Sequence, residues 1–175
     1  MKIFVGYASR QGQSCKIAQW SADRFADAGH TVELMSMSDA TNLNLNRFDR
    51  AVFVASVHSG HYGSSLIDFV SDNDNVLKAL PNLLLSVSLA AGGHDPEDWR
   101  GLSNIVADLE GATGWAPNAV SHVAGAYVPS KYDLFTKFIM RRIIAQKDPD
   151  ADLSADHEYT DWNALGGVLD GWGKA

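Results

Sequence analysis

The sequence predicts an α/β protein built on a doubly wound parallel sheet, and three observations carry that expectation. Five short apolar runs alternate with helix-compatible stretches along the 175 residues, the pattern of repeated βα units. Three of the joins, Ser9–Ser14, Ser56–Gly63 and Ser88–Asp95, follow an apolar run directly and carry glycine. In such a sheet those joins gather outside the carboxyl ends of the strands, where ligands of open α/β sheets bind. Apolar residues make up 46% of the chain and charged residues 20%, enough to build a packed core and unlike a disordered chain. The crossovers between such strands are expected to be right-handed.

The first unit sets the pattern. Lys2-Ile-Phe-Val-Gly-Tyr-Ala8 is short and apolar, as a strand buried on both faces should be. Ser9-Arg10-Gln11-Gly12-Gln13-Ser14 follows, and a helix is expected from Ser14 to Ala28, with Ala18, Ala22, Phe25 and Ala26 on one face and Gly29 as its stop. A strand that ends in such a loop and restarts as a helix aims several N–H groups at one point. Ser9 and Ser14 add hydroxyls there, and Gly12 allows close approach or a positive φ. Two readings fit: a phosphate cradle, or a plainly capped helix. The loop has no Gly-x-x-x-x-Gly-Lys-Ser/Thr and no Gly-x-Gly-x-x-Gly, which excludes the nucleoside-triphosphate loop and the dinucleotide fingerprint.

Thr31–Met35 reads as the second strand, and Asp39–Asp49 as an irregular connection. Arg50–Ser56 is the third strand. Val57-His58-Ser59-Gly60-His61-Tyr62-Gly63 follows it, and Ser64 or Ser65 can cap the next helix, which carries Leu66, Ile67, Phe69 and Val70. Pro81 breaks the chain before the fourth strand, Asn82–Ala90. A helix from about Glu97 to Leu109 and a fifth strand, Ala119–Ala126, complete the alternation.

Residues 127–158 are too long for a plain connection and read as an insertion into one domain, 1–175. Lys131–Gln146 is helix-compatible, with Phe135, Phe138, Ile139 and Ile143 in one stripe and Leu134, Met140 and Ile144 outside it. Apolar residues on more than one face suit a helix covered by a partner subunit. They equally suit a hydrophobic wall for a substrate, or a membrane-surface contact rimmed by Lys131, Lys137, Arg141 and Arg142. Lys147–Glu158 is rich in aspartate, but Leu153 and Tyr159 stand where a calcium loop needs glycine and glutamate. It reads as a solvated loop, with a last helix from about Tyr159 to Trp172.

The net charge of −7 argues against nucleic-acid binding. The single cysteine, Cys15, has no internal disulfide partner and fits a reducing compartment, as a buried structural thiol. No apolar run reaches the ~20 residues of a membrane span and no leader pattern is visible, so the expected location is the cytoplasm, with any membrane contact peripheral. No histidine pair has metal-ligand spacing, and no metal is expected.

The loop Ser9-Arg10-Gln11-Gly12-Gln13-Ser14 resembles the phosphate loop of flavodoxin-like FMN proteins. With Ala55-Ser56, Gly60-His61-Tyr62, Ser86-Val87-Ser88-Leu89, Ala124-Gly125-Ala126, the insertion and Tyr159-Thr160-Asp161-Trp162, the chain resembles the menaquinone-dependent protoporphyrinogen IX dehydrogenases. That resemblance implies a flavodoxin-like sheet of strand order 2-1-3-4-5 and an FMN cofactor. By position, Ser9, Arg10, Gln11, Gly12, Gln13 and Ser14 would hold its phosphate. Ser56, Val57, His58 and Gly60, with Ser88, Leu89, Ala90, Gly92 and Gly93, would flank its ring. His61 and Tyr62 would serve catalysis, relaying protons or shaping the substrate face. The implied activity is oxidation of protoporphyrinogen IX in haem biosynthesis with a quinone as acceptor. The insertion would engage substrate, a second copy of the chain or the inner face of the cell membrane. Two other readings stay open: a related FMN quinone oxidoreductase, and a flavodoxin-type electron carrier.

Overall fold

The computed structural model describes residues 1–9 and 12–174. Arg10 and Gln11, both expected in the phosphate loop, lie outside the described residues. The chain folds as β1 (Lys2–Ala8), α1 (Gln13–Asp27), β2 (Thr31–Ser36), β3 (Arg50–His58), β4 (His61–Tyr62), α2 (Ser64–Asp72), α3 (Asp74–Leu77), β5 (Asn82–Ser88), α4 (Pro96–Thr113), β6 (Ala119–Ala124), β7 (Ala126–Tyr127), α5 (Leu134–Lys147), β8 (His157–Glu158) and α6 (Trp162–Lys174). The sheet runs β2-β1-β3-β5-β6, all parallel. Counting only its five long strands, that is the expected order 2-1-3-4-5.

Alternation along each strand builds two cores, one on each face. Phe4, Phe53, Ala55 and Leu84 point to the side covered by α2 and α4, joined by Phe69, Trp115 and Met37. Ile3, Val5, Val52, Val54, Leu83 and Leu85 point to the side covered by α1 and α6, with Ile17, Phe25, Leu165 and Leu169. Burial of each such side chain stabilises the fold by about 1.5–3 kcal/mol. Buried Asn82 ties the start of β5 to its surroundings. Its amide donates to the Leu77 and Leu80 carbonyls, and Asn82 and Asn118 exchange two backbone–side-chain bonds.

Several boundaries differ from expectation for local reasons. Helix α1 buries Ser21, whose hydroxyl donates to the Ile17 carbonyl, and leaves Ala26 exposed. Its end is a Schellman motif, with the Gly29 and His30 N–H groups donating to the Ala26 and Phe25 carbonyls. The cap of α2 is Gly63, not Ser64 or Ser65, and no side chain bonds there. The fifth long strand stops at Ala124. Gly125 donates to the Ser88 carbonyl, and a β-carbon there would lie 3.3 Å from Val87 Cγ1. The chain then leaves the sheet as β7, which pairs antiparallel with β8. Asp133 caps α5 through the Thr136 N–H, so that helix starts three residues later than expected. Helix α6 starts at Trp162, where Asp161 accepts from the Asn163 and Ala164 N–H groups. Cys15 is half-buried, not buried.

Candidate functional site

The edge formed by the carboxyl ends of β1, β3 and β5 carries the three expected loops, side by side in strand order. In the first, Gly12 is the N-cap of α1 at φ 98°, a left-handed conformation that glycine adopts without steric cost. Its N–H donates to Ser9 Oγ at 3.0 Å. Ser14 is 1% exposed, and its hydroxyl has no hydrogen-bond partner among the described residues. An orphaned buried hydroxyl costs about 1–3 kcal/mol, and a bound oxyanion would supply the missing partner. With the unpaired N–H groups of a helix start beside it, the described part of this loop fits a phosphate.

The second loop is a tight hairpin. Val57 pairs with Tyr62 and His58 with His61, across a two-residue turn in which Ser59 has φ 50° and Gly60 φ 80°. Positive φ at both central residues is the signature of a type I′ turn, whose twist matches the flanking strands. Ser56 Oγ lies 2.9 Å from His58 Nε2. Ala8, Ser9, Ser56, His58, Gly63 and Ser64 line one cleft, so the first two loops share a site. His61 is exposed on the hairpin rim. Tyr62, expected to relay protons or shape the substrate face, is buried in the core, and its hydroxyl donates to Ser86 Oγ at 2.7 Å. Burial pushes its phenol above the ordinary tyrosine range, with the Ser86 bond working against that rise. Tyr62 thus ties the hairpin to β5, while His61 stands on its exposed rim.

The third loop turns through a 3₁₀ segment, Ala90–Gly92. Ser88 Oγ accepts from the Ala91 N–H, and the Gly93 N–H donates to the Ala90 carbonyl. At Gly92 a β-carbon would lie 3.4 Å from that of Ala124 and 3.6 Å from that of Tyr159, so the loop lies tight against the base of the insertion. Ala91 lines a different cleft, with His122, Ala124 and Asp161. His122 stacks edge-on to Trp99, and burial lowers its pKa, which keeps the ring uncharged at neutral pH.

A set of contacts between the first loop and the insertion was not legible in the sequence. Glu158, on β8, accepts from Gln13 Nε2, Lys16 Nζ and Trp162 Nε1. Burial opposes its charge, but those donors outweigh it and hold the carboxyl below the usual range. Gln13 also donates to Thr160, whose hydroxyl donates to the Ala124 carbonyl. From the other end of the insertion, Lys131 Nζ lies 3.1 Å from where a β-carbon of residue 12 would sit.

Helix α5 buries one side chain, Ile144. Leu134, Phe135 and Phe138 are 89%, 74% and 68% exposed, and Ile139 joins them. Lys137, Arg141 and Arg142 lie on the same helix. Among the described residues no helix is long and apolar enough to cross a membrane, and no group of three or more acidic, histidine or cysteine side chains could hold a metal ion.

The chain matches the model of the flavodoxin domain over residues 4–154. It is 26% identical over 166 residues to the protoporphyrinogen IX dehydrogenase [quinone] of Escherichia coli K12, covering 94% of this chain and 91% of that protein. A protein of the same name from Leishmania major is 24% identical, covering 94% of this chain and 71% of its own length. Among solved structures, oxidised flavodoxin 1 from Bacillus cereus is similar in fold, at a TM-score of 0.52 and 17% identity, over 71% of this chain and 85% of that one.

Proposed function

Since the chain belongs to the flavodoxin-domain family, we propose that it is a single-domain FMN enzyme that oxidises protoporphyrinogen IX to protoporphyrin IX and passes the electrons to a quinone. The observation that carries this reading is the extent of the similarity. The match to the Escherichia coli enzyme covers 94% of the chain and so includes the 127–158 insertion, whereas the match to the Bacillus flavodoxin covers 71%. A simple electron carrier needs an exposed flavin edge and no insertion.

FMN, when bound, supplies the redox chemistry, accepting a hydride equivalent and passing electrons on to the acceptor. The protein's part is binding and placement. Gly12, Gln13 and Ser14, with Ser9, hold the phosphate, and Arg10 and Gln11 complete that loop. Ser56, Val57, His58 and Gly60 form one side of the ring site, and Ser88, Leu89, Ala90, Gly92 and Gly93 the other. Backbone N–H groups of these turns would serve the ring edge, where preorganised donors stabilise developing negative charge. His61, exposed on the hairpin rim, takes or gives the substrate proton, an imidazole being the side chain whose chemistry suits that work near neutrality. Tyr62 holds that hairpin through Ser86. The exposed apolar face of α5, with its cationic residues, meets the apolar quinone at the inner surface of the membrane.

Anaerobic addition of protoporphyrinogen IX to FMN-loaded protein should bleach the flavin absorbance, and a menaquinone analogue should restore it. A flavin that stays oxidised on the first addition overturns the substrate. For the α5 face, Phe138→Asp should weaken binding to anionic vesicles and slow reoxidation by the quinone while leaving bleaching intact. Unchanged vesicle binding and quinone kinetics overturn that part.

A further inference from the structure

We propose that Lys131, carried on the insertion, is a phosphate-binding residue that would reach the cofactor's phosphate beside Gly12. This rests on the reading of the chain as an FMN protein. The placement is direct, because the Lys131 ammonium stands 3.1 Å from the point that a β-carbon of residue 12 would occupy. Gly12 thus serves two ends: its backbone takes a left-handed turn, and its missing side chain leaves room for this cation. In the loop Ser9–Ser14 the one charged residue is Arg10, so a second cation on the insertion adds to it. A phosphomonoester carries about −1.5 to −2 charges at neutral pH, and an ammonium on a flexible stem suits it as a point charge.

The turn that presents Lys131 is fastened in place. It ends the short 3₁₀ segment Pro129–Lys131, and its N–H donates to the Val128 carbonyl. Ser130 bonds Asp156 through its hydroxyl, Tyr127 donates to the Leu153 carbonyl, and Tyr132 accepts from the Val128 N–H. These bonds lie within the base of the insertion and hold the turn independently of any ligand. Little ordering is then left for the moment of binding.

The experiment compares FMN with riboflavin, which lacks the phosphate, by quenching of flavin fluorescence on titration into the apo form of the full chain. Lys131→Gln should weaken FMN binding about tenfold, the size of one charge-assisted hydrogen bond, and leave riboflavin binding within about twofold. Lys131→Arg should keep most of the FMN affinity. Lys78→Gln, which removes an equal charge at the end of α3, should change neither. The FMN affinity of Lys131→Gln should also fall less steeply with salt. Equal loss for both flavins, or no loss for either, overturns the proposal. Wild-type protein that binds FMN no tighter than riboflavin overturns it too but leaves the FMN reading standing, whereas protein that binds neither flavin overturns both.

Discussion

The sheet and the insertion are held together by different forces. In the sheet, strands β3 and β5 are buried almost along their length, and the side chains that fix them are apolar on both faces. Four aromatic rings, Phe4, Phe53, Phe69 and Trp115, pack around one another with centroids 5.4–6.2 Å apart. In the insertion, α5 buries only Ile144 and turns four large apolar residues to solvent. What holds it is polar: Glu158 with Gln13, Lys16 and Trp162, Ser130 with Asp156, and Lys147 with Asp98. The sheet spends its apolar residues on stability. The insertion keeps its own uncovered, which is where a surface meant for something else would put them.

The largest expected effect separates the two regions directly. Phe53→Ala removes a fully buried ring from that cluster and should cost about 3–5 kcal/mol of stability in urea unfolding. Phe138→Ala removes a ring of the same size that is 68% exposed and should stay within about 0.5 kcal/mol of wild type. A large loss from Phe138→Ala would mean that α5 is covered by something, a second copy of the chain being the first candidate. The dependence of that loss on protein concentration would decide it.

The same contrast explains what the sequence made legible. The sheet was readable because strand periodicity, turn residues and composition are local signals, and Ile3, Phe4 and Val5 announce burial whatever lies elsewhere. The three loops were readable because parallel topology forces them to one edge. The role of Tyr62 was not, since its hydroxyl is used by Ser86, a strand away. Neither was the pairing of Glu158 with Lys16, nor the approach of Lys131 to Gly12, because each joins chain segments far apart in sequence and no periodicity links them. Residues 131–158 did show apolar character on several faces together with an acidic run. Which faces stay uncovered depends on tertiary packing, and of those residues only Ile144 is buried.

A smaller effect tests the polar attachment. Glu158→Gln removes the charge that gathers Gln13, Lys16 and Trp162. Global stability should change little, because partly exposed ion pairs contribute at most about 1 kcal/mol. The insertion should loosen, and tryptic cleavage after Arg141 or Arg142 should become several-fold faster. Acid should have the same effect on wild type. A carboxyl held below its unfolded value stabilises the fold above that value, near pH 4.3, and the contribution disappears as pH falls through the depressed pKa. Hydrogen exchange of β8 and α5, corrected for intrinsic rates, should therefore rise on acidification before that of β3. Simultaneous loosening of both regions would mean that the insertion is part of the same cooperative unit as the sheet.

The smallest effect is spectroscopic and reads the insertion's far end. Tyr159, half-buried beside Asp148, has its phenol pushed up to about 12, by burial first and then by its hydrogen bond to that carboxylate. The phenols of Tyr127 and Tyr132, nearby, are raised by burial as well. A raised phenol stabilises the fold fully below the unfolded value of about 10, and that contribution is lost as pH rises through the folded one. Tyr159→Phe should thus remove one tyrosinate step near pH 12 from the absorbance titration and leave the region around pH 10 untouched. The matching change in the sheet, Tyr62→Phe, leaves buried Ser86 without its donor and should cost about 1 kcal/mol, whereas Tyr159→Phe, facing a carboxylate that water can reach, should cost less. If the order of those two costs is reversed, the insertion is held as firmly as the sheet, and its uncovered rings need another explanation.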